Sequence, residues 1–456
     1  MDELASFVVK RKKLSFPVWL VVLVDVILMN AGYALAFLLR FGTSIHPDNL
    51  QALIGMLPFI SSLTAVTFAS IGLYSVKRQS QGYIARLLNA GVGLCFMSVM
   101  AVAFWQREFA FPRSVLMIAP IVQLSMLHLW RMFTLRLERR WHGKKKLLLV
   151  GYDADVKRLL PKVKSLPVGW VELVSVHAPE ELHAISNMVP LVDAVLVTER
   201  VPLEIKKEII FLCFELAREV YVVPDLYDVL LKKSVPGIMG DTPIMEVPEI
   251  LMSPVATFVK RGVDVVFAVV GLVVSSPLWI LVGLAIVVAS RGPILYTQER
   301  VGRGGRRFWL IKFRTMIDEA EKLTGPVLAT KNDSRVTTVG RVLRATRLDE
   351  LPQLLNVLRG DMSLVGPRPE RPEFVQQYLD EIPEYRYRYL VRPGLTGLAQ
   401  VRGRYSTAVP DKLRYDLSYI VNYTILLDLK VILETVPVVF SNDAAAGCDE
   451  PWETSC

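Results

Sequence analysis

The sequence predicts a membrane-bound chain in three parts: a bundle of four transmembrane helices, a small α/β domain, and a mainly α-helical domain that begins with a fifth apolar helix. Three observations predict it. Four apolar runs, each about 24 residues and so long enough to cross a bilayer as a helix, occupy 16–41, 50–74, 82–105 and 112–135. Short β-type runs then alternate with helical stretches over about 145–240. Last, the apolar run 263–289 carries Ser275-Ser276-Pro277 at its middle and is followed by motifs dense in arginine and carboxylate.

Composition agrees. The chain has 456 residues, more than one domain usually holds, and 52% are hydrophobic, which points to membrane segments. The net charge of +9 would suggest nucleic acid in a soluble protein. Here the basic residues cluster at the ends of the apolar runs and around the Asp-Glu motif, which fits anionic lipid and phosphate and argues against nucleic acid. Cys95, Cys213, Cys448 and Cys456 have no metal-ligand or disulfide spacing.

The first apolar run is too long for a signal-peptide core, and no small-residue cleavage site follows it. Lys10, Arg11, Lys12 and Lys13 precede it, Lys77, Arg78 and Arg86 fall between the second and third runs, and a basic stretch from Arg136 to Lys146 follows the fourth. The other two loops are poor in base, so the positive-inside rule places both ends of the bundle, and everything after about residue 140, in the cytoplasm. Asp25 lies inside the first run, about two turns from its cytoplasmic end. It reads as a carboxylate bonded within the bundle rather than as part of a transport path.

Lys146-Leu147-Leu148-Leu149-Val150-Gly151 reads as a buried parallel strand, with further β runs at 171–176, 194–198 and 220–223. The alternation predicts a Rossmann-like sheet. Its first turn, Gly151-Tyr152-Asp153-Ala154-Asp155-Val156, lacks the glycines that let backbone approach a pyrophosphate, and places two acids where an anion would sit. A structural, regulatory or assembly role is expected rather than dinucleotide binding. His177 and His183 have no ligand partners at metal spacing.

Proline removes a backbone donor and crowds the preceding turn, so the fifth run is expected to kink or break at Pro277. It is either a kinked span or a broken helix that returns to the leaflet it came from. Lys260 and Arg261 before it and Arg291 after it favour return. Then Gln298–Arg307 forms a glycine-and-arginine loop, suited to phosphate or to lipid headgroups. Lys312 and Arg314 alternate with apolar residues on a strand-like run and so share a face. Arg341, Arg344 and Arg347 lead into Leu348-Asp349-Glu350-Leu351-Pro352-Gln353-Leu354, and a helix over 352–359 is expected to stop at Gly360. Gly366-Pro367-Arg368-Pro369 and Arg392-Pro393-Gly394 are rigid basic turns. The stretch 415–440 is amphipathic, and Tyr415, Tyr419 and Tyr423 at helical spacing suit a headgroup-level helix, with a core-packing stripe as the alternative. Residues 441–456 read as a disordered tail. Paired carboxylates suit a divalent cation or a nucleophile, and arginine forks suit phosphate. Together they suggest phosphoryl transfer at a membrane surface.

The Asp349-Glu350-Leu351-Pro352-Gln353 motif, Lys312-Phe313-Arg314-Thr315-Met316, Gly366-Pro367-Arg368-Pro369 and Arg392-Pro393-Gly394 follow a Ser-Pro-interrupted apolar helix in that order. This resembles the bacterial sugar transferases, the monotopic polyprenyl-phosphate phosphoglycosyl transferases. The four spans and degenerate Rossmann-like part look like the long form of that family. The resemblance implies a transmembrane domain at 1–142, a Rossmann-like domain at 143–245, and a catalytic domain at 255–440 whose helix 258–290 is re-entrant. It implies transfer of hexose-1-phosphate from a UDP-hexose to undecaprenyl phosphate with Mg²⁺, releasing UMP, at the cytoplasmic face of a bacterial inner membrane. Asp349 would be the nucleophile and Glu350 a metal ligand, while Lys312, Arg314, Arg344, Arg368 and Arg392 would hold phosphate. Glucose or galactose is expected, an N-acetylated hexosamine stays open, and a homodimer is compatible with the sequence. A nucleotide-sugar dehydratase lacks support without the glycine fingerprint. A non-catalytic scaffold or export component is disfavoured by the intact acidic pair.

Overall fold

The computed structural model describes residues 17–42, 46–74, 81–105, 112–142, 144–164, 171–247, 252–317, 333, 335–403 and 407–439. The tail at 441–456, the basic residues 10–13, and Lys77 and Arg78 lie outside the described residues. The chain divides into two compact units between Asp225 and Leu226.

The first unit opens with four long apolar helices, α1 (Val18–Phe41), α2 (Pro47–Ser70), α3 (Gln81–Trp105) and α4 (Arg113–His142). Each is long and apolar enough to cross a membrane. Polar side chains knit them together, as is usual where lipid offers no hydrophobic drive between helices. Asp25 on α1 is fully buried and pairs with Arg131 on α4. Gln123 Nε2 on α4 donates to the Met29 carbonyl at 2.9 Å, and Asn30 Nδ2 donates to Ser61 Oγ on α2 at 2.9 Å.

Four parallel strands follow in the order β2-β1-β3-β4, where β1 is Lys145–Val150, β2 Val171–His177, β3 Ala194–Val197 and β4 Glu219–Val222. Helices α5 (Asp153–Lys164), α6 (Leu182–Met188) and α7 (Leu203–Glu215) connect them. Leu148, Val150, Val195 and Val197 form the buried centre of this mixed α/β region. The turn after β1 is filled by the chain itself. A Cβ on Gly151 would stand 2.4 Å from Thr198, and Asp155 is buried beside Thr198 and Arg200.

The second unit starts with α8 (Leu226–Leu231) and a hairpin, β5 (Val235–Met239) and β6 (Thr242–Glu246). Then comes α9 (Pro254–Ala289), 36 residues and about 54 Å at about 1.5 Å per residue. Pro277 does not end it. The proline leaves the Val273 carbonyl without its usual backbone donor. Ser276 Oγ supplies one at 2.8 Å, and Trp279 Nε1 donates to Ser275 Oγ at 3.2 Å. The Ser-Ser-Pro sequence therefore carries its own repair, and the helical backbone continues where a break was one expectation.

Both ends of α9 are fastened to this unit. Lys260 Nζ lies 2.6 Å from Asp428, and Asp264 accepts from Ser363 Oγ and the Leu364 backbone N–H at 3.0 Å each. At the other end the Arg314 guanidinium donates to the Arg291 and Ser290 carbonyls at 2.6 and 2.9 Å. Between them, Val266, Phe267, Val273, Val274, Ile280, Leu284 and Val288 form an exposed apolar flank.

An antiparallel hairpin, β7 (Leu295–Val301) and β8 (Arg307–Phe313), leads to α10 (Thr338–Thr346), a 3₁₀ turn (Leu348–Glu350) and α11 (Gln353–Arg359). As the sequence predicts, Gly360 stops α11 with a left-handed φ of 96°. Short parallel strands β9 (Ser363–Val365) and β10 (Gly394–Thr396) pair across α12 (Pro372–Glu381) and a 3₁₀ segment (Pro383–Leu390). Helices α13 (Leu398–Arg402), α14 (Val409–Val421) and α15 (Ile425–Val439) complete the unit.

The tyrosine stripe corrects the headgroup expectation. The amphipathic stretch is two helices, and Tyr419 is fully buried, its hydroxyl donating to Asp428 Oδ1 at 2.7 Å. Tyr415 and Tyr423 pack against the same core.

Candidate active site

The 3₁₀ turn Leu348–Glu350 presents the acidic pair between α10 and α11. Asn356 on α11 ties this region to the hairpin, accepting from the Ile311 N–H at 3.0 Å and donating to the Trp309 carbonyl at 2.7 Å. α10 can approach only because residue 340 is glycine, since a Cβ there would stand 1.9 Å from the Thr315 carbonyl. That approach brings Arg344 Nε to Thr315 Oγ1 at 2.9 Å.

Glu350 Oε1 accepts from Arg368 Nη2 at 2.7 Å. Arg368 is aimed by its own loop, because its carbonyl accepts from Arg388 Nη2 at 2.8 Å and Arg388 is locked by Asp416 at 2.9 Å. Lys312 Nζ lies 5.4 Å from the Tyr296 ring centre. Arg300 donates to Gln298 Oε1 at 2.7 Å and to the Pro369 carbonyl at 3.1 Å.

These surroundings separate the two acids. Burial is the largest influence on Asp349; with the neighbouring Glu350 charge it outweighs Lys312, Arg344 and Arg368 and pushes its carboxyl up to about 6. Burial pushes Glu350 the same way, but Arg368, Arg347 and Lys312 overcome it and hold Glu350 below the usual carboxylate range. Burial and the charge of Arg300 lower Lys312 to about 8. Glu350 is thus a fixed anion in an ion pair. Asp349 is a half-buried carboxylate, ionised at neutral pH.

Of the sequence-predicted residues, Asp349, Glu350, Lys312, Arg344 and Arg368 come together here. Two do not. Arg314 was expected to share a face with Lys312, but β8 ends at Phe313 and the buried Arg314 instead closes the C-terminal end of α9. Arg392 has Arg261, Arg303 and Asp264 as its charged neighbours. Arg300, in the glycine-and-arginine loop, and Arg347, before the acidic pair, also belong to these surroundings, although the sequence marks neither as a site residue. Arg300 acts on Lys312, and Arg347 on Glu350. Their position directly beside the hairpin turn and the acidic pair was the available signal.

Among the described residues no group of three His, Cys, Asp or Glu side chains is placed to hold a metal ion. Two adjacent carboxylates still fit Mg²⁺, which binds through one or two carboxylates and takes its other oxygens from phosphate and water.

Comparison with known proteins assigns this arrangement to a family. The sequence family described as bacterial sugar transferase matches residues 255–442. The chain is 49% identical over 193 residues to a UDP-glucose:undecaprenyl-phosphate glucose-1-phosphate transferase of Caulobacter vibrioides, covering 41% of this chain and 71% of that protein. It is 43% identical over 199 residues to a UDP-N-acetylgalactosamine-undecaprenyl-phosphate N-acetylgalactosaminephosphotransferase of Aeromonas hydrophila, covering 43% of this chain and 47% of that one. It is 39% identical over 202 residues to an undecaprenyl-phosphate galactose phosphotransferase of Salmonella typhimurium, covering 41% and 42%. The match spans about half the length of the Aeromonas relative and less of the Salmonella one. With the family match over 255–442 and 49% identity across 71% of the Caulobacter protein, the chain belongs to the bacterial sugar transferase family.

Proposed function

We propose that this chain transfers hexose-1-phosphate, with glucose or galactose as the sugar, from a UDP-hexose to undecaprenyl phosphate, and so initiates synthesis of an exopolysaccharide, capsule or O-antigen. One observation carries the reading. An ionisable but uncommitted carboxylate, Asp349, lies among Lys312, Arg344 and Arg368, next to an anion already neutralised by Arg368. An Asp Oδ attacks the sugar-linked phosphorus, and the bond from that phosphorus to the bridging oxygen breaks, so UMP leaves. A phosphate oxygen of the lipid then attacks the same phosphorus, and the bond to Asp349 breaks, restoring the carboxylate. The obstacle is repulsion between carboxylate and diphosphate, which Lys312, Arg344 and Arg368 offset. Glu350 would hold Mg²⁺, which when bound supplies further neutralisation of the phosphate oxygens. Arg392, in its own cluster with Arg261 and Arg303, is left for a more distant phosphate.

The experiment is UMP release by the purified full chain in lipid, with Mg²⁺, undecaprenyl phosphate and a panel of UDP-sugars. Release with one hexose donor is expected, and silence with every donor would return weight to a scaffold role. Sign and window of the pH dependence follow from the site. Asp349 must be deprotonated to attack and Lys312 protonated to attract phosphate, so kcat/KM is expected to be bell-shaped, failing below about 6 and above about 8. A profile flat from pH 5 to pH 9 would contradict these assignments.

The α/β region is read as a degenerate Rossmann-like domain without a dinucleotide, because the turn after β1 is filled by Thr198 and Asp155. Helix α9 is read as re-entrant although its backbone is not broken at Pro277, with the catalytic domain on the cytoplasmic face of the inner membrane. Supporting this, its two ends are tied to one compact unit through Asp428 and Arg314 while its flank stays apolar. Single cysteines at Val255→Cys and Ile294→Cys are then expected to react with a membrane-impermeant maleimide from the same, cytoplasmic, side. Labelling from opposite sides would establish a through-going span.

A further inference from the structure

Among the described residues only Ala217 and Arg347 hold a positive φ without being glycine. Arg347, at φ 55° and ψ 18°, is the residue between α10 and the 3₁₀ turn that carries the acidic pair. This left-handed position after a helix is one that glycine or asparagine usually fills, because a Cβ is crowded there. Backbone bonds on both sides depend on it. The Arg347 N–H donates to the Arg344 carbonyl at 3.2 Å, closing α10, and the Arg347 carbonyl accepts from the Glu350 N–H at 3.2 Å, closing the turn. One residue thus joins the helix that delivers Arg344 to the turn that delivers Asp349.

We infer that Arg347 is a positioning residue: its left-handed backbone, more than its charge, aims Asp349 at Lys312, Arg344 and Arg368. Its charge is duplicated where it acts. The Arg347 guanidinium bears chiefly on Glu350, which Arg368 already holds at 2.7 Å. Nothing duplicates the turn. If residue 347 adopts an ordinary right-handed or extended conformation, the chain leaves α10 in another direction and Asp349 turns away from the cations. Strain held by surrounding structure beside a reacting group is a recurrent way to fix that group. This inference rests on the reading of Asp349 as the nucleophile.

The test uses the full chain in lipid and four substitutions that all remove the guanidinium but differ in tolerance of positive φ: Arg347→Gly, Arg347→Asn, Arg347→Ala and Arg347→Val. The kcat for UMP release is expected to rank Gly and Asn above Ala and Val, with Gly exceeding Val by about tenfold or more. KM for the UDP-sugar is expected to vary by less than about threefold across the four, since the phosphate-holding side chains are untouched. Equal kcat in the four variants overturns the inference, and so does a Gly variant as slow as the Val variant. If thermal melting shows that Arg347→Val does not fold, the Gly-against-Ala contrast decides in its place, with about threefold expected and equality overturning. Asp349→Asn is assayed alongside. Activity in that variant would defeat the nucleophile reading, whereas a flat ranking with Asp349→Asn inactive would defeat only the role of Arg347.

Discussion

Replacing Asp349 by asparagine is expected to abolish UMP release, by on the order of 10⁴-fold or more, while the protein still inserts in membranes. The amide is isosteric with the carboxylate but cannot form the phospho-sugar ester. The change leaves the Glu350–Arg368 pair and the Asn356 tether as they are. The same substitution is expected to raise the melting temperature. Asp349 has a folded-state value near 6 against 3.8 for the unfolded chain. A raised carboxylate favours its protonated form in the folded state, so stability falls as pH rises from about 3.8 to 6 and is not regained at neutrality. Asparagine removes that buried charge. Near-wild-type release by the variant would sink the covalent mechanism. A lower melting temperature with release abolished would instead contradict the account of why Asp349 titrates high.

Much of this site could be read in the chain, and the exceptions have physical causes. The apolar lengths, the β-type runs of the middle region and the Gly360 stop were legible because each is a local property: bilayer thickness, short continuous apolar runs, and the left-handed cap. Lys312 was legible as a cation on a strand. Arg314 was placed wrongly because alternation fixes a face only while the strand continues, and this strand ends one residue earlier. Tyr419 was left between two placements for a different reason. A helical stripe of tyrosines is the same pattern whether it faces lipid headgroups or a core, and only the partner, here Asp428, separates them. The Ser276 hydroxyl that satisfies Val273 is in hindsight readable, since Ser-Pro places a donor one residue before the missing N–H. The pairing of Asp25 with Arg131, 106 residues apart, is not readable, because no periodicity spans such a distance.

Removing the carboxylate of Asp416 is the substitution expected to cost most in stability. Asp416 is 3% exposed and its partner Arg388 is 6% exposed, so neither charge can be recovered by water if the other is lost. Burial raises the Asp416 carboxyl to about 6 despite the adjacent guanidinium, whereas Tyr385 and Asp416 overcome burial at Arg388 and favour its charge. A buried pair of this kind adds little net stability when intact, yet costs about 3–5 kcal/mol when one partner is removed. Asp416→Ala should therefore destabilise the second unit by about that amount. The double replacement Arg388→Met with Asp416→Leu should lie much closer to wild type in unfolding experiments on the inserted protein. Activity should follow a different order. Arg388 also donates to the Arg368 carbonyl, so the double variant, although stable, loses the bond that aims Arg368 at Glu350. A stable but slow double variant beside an unstable single one would separate what this pair does for folding from what it does for the site. Equal stability of Asp416→Ala and wild type would mean that water reaches Arg388.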